Sequence, residues 1–230
     1  MTLTSLLAPF AMLAAASAPA PAPNAPKSNA EIRFNDCVAQ ISVDREKAIA
    51  AAEAWRATGG GVPARQCLGM AYVAAERWLP AAISFEQAAT EAENLHDGRA
   101  AVLWVQSGNA ALAGDDPARA RSAFDHALAM PVLGDAQRGE AYMDRARANV
   151  AADDMAAARA DLDAAIKLVP GDPMGWLLSA ALARRQNDLA RAANDVEQAE
   201  KLAPGNDDVA AERARIAQMR GAPDAAIKAP

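Results

Sequence analysis

Residues 158–170 read ARADLDAAIKLVP and residues 192–204 read AANDVEQAEKLAP. Overlaid, they place Ala158 on Ala192, Leu162 on Val196, Ala165 on Ala199 and Pro170 on Pro204, four correspondences at an offset of 34 residues. A period of that length marks stacked supersecondary units, each able to bury its apolar face only against its neighbours. The same Ala-x3-large-x2-Ala spacing occurs earlier, at Ala81, Phe85 and Ala88 and at Ala120, Phe124 and Ala127. Each copy is preceded by a segment with a small residue near a ring: Leu68-Gly69-x2-Tyr72, Trp104-x2-Ser107-Gly108, Tyr142 with Ala146, and Trp176 with Ala180. The steps from Gly69 to Gly108 and from Gly108 to Ala146 are longer, at 39 and 38 residues, the first extended by an insertion around Glu93 to Gly98.

This pattern resembles the tetratricopeptide repeat, whose 34-residue motif is W-x2-L-G-x2-Y…A-x3-F…P. The resemblance implies an all-α fold, a right-handed α-solenoid of antiparallel helix pairs. The residue types agree. Small residues at Gly69, Gly108, Ala146 and Ala180, and at Ala81, Ala120, Ala158 and Ala192, let paired helices approach closely. Tyr72, Phe85, Trp104, Phe124 and Trp176 fill the space between units, and the Pro after the second helix ends it. Asp115-Asp116, Asp153-Asp154, Asn187-Asp188 and Asp207-Asp208 fall where helix caps are expected. The Gly59-Gly60-Gly61 run reads as a flexible inter-repeat turn. The repeat domain is expected over residues 30–220. It comprises a degenerate first unit at 30–57, four clear units from Val62, and a charged C-terminal capping helix from Asp207 to Arg220, followed by a tail at 221–230.

Composition excludes the main rivals. The chain holds 64 Ala in 230 residues, is 52% hydrophobic and only 4% aromatic, which favours helix and leaves too few β-branched and aromatic residues for a sheet. Pro and Gly punctuation forbids a long coiled coil. A net charge of −6 argues against nucleic-acid binding. No phosphate loop, dinucleotide fingerprint, nucleophile elbow or H-E-x-x-H occurs, so no catalytic, cofactor or metal residue is assigned and the chain is read as non-enzymatic. His96 and His126 lack neighbours at ligand spacing and read as surface residues.

Residues 1–18 read as a signal peptide. Leu3 to Ala18 is uncharged and ends in Ala16-Ser17-Ala18, a small-residue cleavage pattern, although no basic residue precedes it. Residues 19–29 form a linker with Pro at 19, 21, 23 and 26, which favours extended polyproline II. A periplasmic or secreted location is therefore expected, with membrane attachment only if the leading segment is retained.

In the register of the resemblance, Cys37 and Cys67 fall on the first helices of adjacent units, and export would make a disulfide their natural state. Two buried free thiols are the alternative. The resemblance also implies a concave groove lined by the first helices, which takes a protein or peptide partner. Its positions here are Gln66, Met70 and Val73; Val105, Asn109 and Leu112; Met143, Arg147 and Val150; Leu177, Ala181 and Arg184; and Ala211, Arg215 and Gln218 on the capping helix. Arg147, Arg184 and Arg215 would suit a carboxylate on the partner. Equally, the apolar residues could pack against neighbouring helices and the arginines could pair with acids on their own helix. The expected function is a non-catalytic interaction scaffold. The alternative is a self-associating structural protein of the cell envelope.

Overall fold

A computed structural model describes residues 28–221. The expected signal peptide, the linker as far as residue 27 and the tail from residue 222 lie outside them. The described residues form eleven α-helices and no strand: α1 (Asn29–Val43), α2 (Arg45–Ala57), α3 (Gly61–Ala74), α4 (Trp78–Asn94), α5 (Ala100–Ala113), α6 (Pro117–Ala129), α7 (Asp135–Ala151), α8 (Met155–Leu168), α9 (Pro173–Arg185), α10 (Leu189–Leu202) and α11 (Asp207–Gly221). Each odd-numbered helix up to α9 pairs with the helix that follows it, and each pair packs on the next, with α11 closing the array. This is the all-α solenoid that the 34-residue period requires. The longer steps are accommodated by helix length as well as by loops. α4 and α7 each run 17 residues, where the other helices run 13 to 15.

Close approach explains the small residues. Ala81, Ala120, Ala158, Ala180 and Ala192 are wholly buried, as are Phe124 and, within a few per cent, Phe85. A Cβ added at Gly69 would lie 2.7 Å from the Phe85 ring, and one at Gly108 would lie 2.7 Å from the Phe124 ring. Each ring of a second helix thus lies against the bare backbone of its first helix, a packing that any larger residue would force apart.

The turns within pairs divide their work between two residues. Asp115, Asp153 and Asn187 adopt left-handed backbone with φ of 58°, 60° and 60°, which Asn and Asp tolerate better than most side chains. The residue after each is the cap: Asp116, Asp154 and Asp188 accept the backbone N–H three residues on, each at 3.0 Å. Asp207-Asp208 departs from the expectation. Asn206 caps α11 by accepting from the Val209 N–H at 3.0 Å, and the two aspartates lie in the first turn, where the helix dipole favours negative charge. Gly59 and Gly61 have φ of +86° and +58°, and a Cβ at Gly60 would meet the Trp55 ring at 2.6 Å, so the triple-glycine run is a tight turn that only glycine fits.

Candidate functional site

The site is the face built by the first helices α3, α5, α7, α9 and α11. Along it the junctions between successive helices are of two kinds. α1 packs directly on α3, α5 on α7, and α9 on α11, whereas α3 stands further from α5 and α7 further from α9.

The close junctions are cross-linked. Between α1 and α3, Cys37 and Cys67 have their Sγ atoms at bonding distance with Cα atoms 6.4 Å apart. Between α5 and α7, Asn109 of α5 faces the Asp144 carboxylate, which is ion-paired with Arg147 one turn along its own helix. Burial of the Asp144 carboxyl outweighs both partners and raises its pKa above the ordinary aspartate value. Between α9 and α11, Glu212 is 2% exposed; Arg184 donates to it through Nε at 2.5 Å and Arg215 through Nη1 at 2.9 Å.

The open junctions are apolar troughs. The first, about 390 Å³, is lined by Met70, Val73 and Ala74 of α3, Trp78 and Phe85 of α4, and Gln106, Asn109 and Ala110 of α5. The second, about 220 Å³, is lined by Met143, Ala146, Arg147 and Val150 of α7, Leu162 of α8, and Leu178, Ala181, Leu182 and Arg185 of α9. Cofactor and drug-sized pockets run roughly 300–1,000 Å³, so the second trough is on the scale of a side chain. A larger cavity, about 740 Å³, opens at the N-terminal ends of α1, α3 and α5, but its charges are committed locally. Glu31 accepts from the Ser28 N–H at 2.7 Å in the α1 capping box, and Arg99 pairs with Asp97 at 2.6 Å. Another, near His126, is lined by Glu86, Asp116 and Arg119, which pair with one another, while His126 is exposed and stacks on Trp104 at 4.3 Å.

The expected groove residues divide accordingly. Met70, Val73, Asn109, Met143, Arg147, Val150 and Ala181 line the troughs. Gln66 spans the mouth of the first by donating to Gln106 Oε1 at 3.4 Å. Val105 and Leu112, like Met70, are half-buried against the central core but line neither trough, and Leu177 packs against the C-terminal core. Ala211 and Gln218 lie exposed on α11. Each of the three arginines expected to suit a partner carboxylate has an acidic partner within the chain, two of them on their own helix, the alternative reading given above. Arg147 is paired with Asp144, and Arg184 and Arg215 share Glu212. The guanidinium that the second trough does present is Arg185, which makes no hydrogen bond or ion pair with any described residue.

Sequence reasoning missed Arg185, Leu178 and Leu182, although 178, 181, 182 and 185 form one helical stripe (i, i+3, i+4, i+7). It also missed a rule written in the repeat. The residue two positions before the small residue of each first helix faces the preceding first helix. Counting back from Gly69, Gly108, Ala146, Ala180 and Ala214, it is Cys67, Gln106, Asp144, Leu178 and Glu212. Cys67, Asp144 and Glu212 each make the link across a close junction, while Gln106 and Leu178 line the two troughs.

A second missed set lies between helix pairs. Asp161 and Asp195, 34 residues apart, are both nearly buried. Arg145 donates to Asp161 from two nitrogens at 3.0 and 2.5 Å, and Asn149 adds a third bond at 2.8 Å. Ser179 Oγ donates to Asp195 at 2.5 Å and accepts from Arg159 at 2.5 Å. The two carboxylates are thus satisfied inside the stack and read as structural, while Asn149 Oδ1 is buried without a hydrogen-bond partner among the described residues. Among the described residues no group of three or more His, Cys, Asp or Glu is placed to hold a metal, and no helix is long and apolar enough to cross a membrane.

No protein-family model and no curated protein matches the chain. Solved structures do. MamA residues 41 to the end, from Desulfovibrio magneticus RS-1, superpose with a TM-score of 0.64 at 15% identity, covering 77% of this chain and 97% of that one. YrrB, described as a tetratricopeptide repeat protein with an unusual peptide-binding site, gives 0.62 at 17% identity over 81% and 92%. The first tetratricopeptide repeat domain of Spaghetti (RPAP3), bound to an HSP90 peptide, gives 0.50 at 19% identity over 55% and 97%. These likenesses establish the fold: the chain has the tetratricopeptide-type α-solenoid.

Proposed function

We propose that the chain is an exported, non-catalytic scaffold that binds a segment of a partner polypeptide across the face of its first helices. The observation that carries this reading is the pair of apolar troughs on that face, at α3/α5 and α7/α9. Apolar side chains left partly in water there, Met70, Val73 and Ala74 at the first and Val150, Leu178 and Ala181 at the second, favour a partner that covers them. The binding of peptides by two structural neighbours, as their descriptions state, is in keeping with it. Export is supported by the Leu3–Ala18 segment and by two cysteines at bonding distance, since disulfides persist in oxidising compartments.

In-cell photo-crosslinking tests the reading. A photoreactive residue is placed at Val73 or Ala181 in the troughs, and at exposed Asn194 on α10 as control. Capture of one polypeptide from both trough positions and not from Asn194 is the expected result. Capture of the chain itself would replace this reading with self-association. Equal capture from all three positions would remove the groove from consideration.

A further inference from the structure

Resting on the groove reading above, we infer that the partner segment is extended and held at two points, with two apolar side chains at least about six residues apart and an acidic side chain beside the second. Three of the five first-helix junctions are closed, by the cysteine pair, by Asn109–Asp144–Arg147 and by Arg184–Glu212–Arg215. Along the middle of this face, among the described residues, apolar recesses open at α3/α5 and α7/α9. Packed helix axes lie roughly 8–10 Å apart, and the route between the trough centres crosses the packed α5/α7 interval and half of each wider one, so the centres are separated by at least about 16–20 Å. An extended chain advances about 3.3 Å per residue, which places the two anchors at least about five to six residues apart. A helical segment would need about twice as many residues to cover that distance.

Charge fixes the polarity of the contact. The stretch between the anchors crosses the closed α5/α7 junction, where Asn109 and Arg147 are exposed and polar. At the second trough, Arg185 is exposed at the end of an otherwise apolar stripe, with no partner among the described residues, on a chain whose net charge is −6. Its planar fork suits a carboxylate, and the apolar wall beside it lowers the competing hydration.

The test uses the full chain and synthetic fluorescent peptides of about twelve residues, long enough to span both troughs in extended form. All are amidated at the C-terminus, so that any acid preference comes from a side chain. Each carries two Leu at varied separation in a Ser/Asn background, with Asp, Ser or Lys after the second Leu. Affinity is expected to peak at a separation of about six or slightly above and to follow Asp over Ser over Lys. Arg185→Glu is expected to weaken the Asp peptide on the order of tenfold or more, the scale of one charge-assisted hydrogen bond, and to favour the Lys peptide. Arg185→Lys should restore most of the Asp preference, and because Arg185 bonds to no described residue the thermal midpoint should not move in either variant. Binding that is indifferent to separation or to Asp, yet abolished by Ala181→Trp, would overturn the two-point inference and leave the groove reading standing. Binding unaffected by both Val73→Trp and Ala181→Trp, or no binding by any peptide, would overturn the two-point inference. If trough crosslinking also fails, the groove reading falls with it.

Discussion

The α9/α11 and α7/α9 junctions are made from the same repeat yet behave as opposites. At positions 144, 178 and 212, each one period of 34 from the last, the chain carries Asp, Leu and Glu; three residues on, at 147, 181 and 215, it carries Arg, Ala and Arg. Where the pair is acid and arginine, the helix reaches its predecessor through charge-assisted hydrogen bonds and the junction closes. Where it is Leu and Ala, no hydrogen bond or ion pair joins α7 to α9 among the described residues; Leu178 and Leu182 share an apolar cluster with Met143 and Ala146, and a recess of about 220 Å³ remains beside them. A solenoid can therefore set, unit by unit, which of its junctions hold the array together and which are left for a partner.

The largest effect is expected at the closed N-terminal junction. Cys37→Ser with Cys67→Ser should cost about 3–4 kcal/mol, the loop-closure value for cysteines 30 residues apart, and the wild type should lose the same advantage once a reductant is added. Chemical denaturation with and without dithiothreitol measures it, and equal midpoints would mean that the first pair is held by packing alone. Next, Glu212→Ala leaves Arg184 and Arg215 without their shared carboxylate, at a cost of about 2–3 kcal/mol. Hydrogen exchange should localise the loss to α11, and a change spread over the whole array would break the junction-by-junction picture.

Two adjacent alanines sharpen the contrast. Ala180 is wholly buried in the close approach of paired helices, while Ala181 lines the open trough. Ala180→Leu should cost about 1–3 kcal/mol or more by overpacking, and Ala181→Leu should stay within about 0.5 kcal/mol. Equal losses by thermal denaturation would mean that the trough is not open space.

The smallest effect is a pH dependence at α5/α7. The folded pKa of Asp144 is raised, so the folded state holds its proton more tightly than the unfolded chain. The stability gained by protonation is complete below the unfolded aspartate value, about 3.9, and is lost as pH rises through the higher folded value. The wild type should therefore gain on Asp144→Asn as the pH is lowered toward 4. A difference in melting temperature that does not vary with pH would show that hydration of the carboxyl survives folding.

Much of this architecture was legible in the chain. Gly69, Gly108 and the buried alanines lie at the repeat spacing because helix pairs that touch through bare backbone admit nothing larger, so the spacing of small residues is itself a record of helix contact. The aspartates at the inner turns were legible for the same kind of local reason. Asp116, Asp154 and Asp188 serve a backbone N–H three residues away, within reach of a short side chain. The face of the first helices was legible only in part. Val105 and Leu112 share the apolar character of Met70 and Val73, and which of them meets solvent depends on how far the next helix stands off.

By itself, then, the sequence determined the all-helical repeat, the helix ends and the facing cysteines, because period, capping and close packing are local or strictly periodic properties. Only the tertiary structure decided that Arg184 is bound to Glu212, 28 residues away, while its neighbour Arg185, beside an apolar recess, pairs with no described residue. One residue along a helix turns a side chain by about 100°. That rotation separates an arginine that secures the end of the array from one that remains available to a partner.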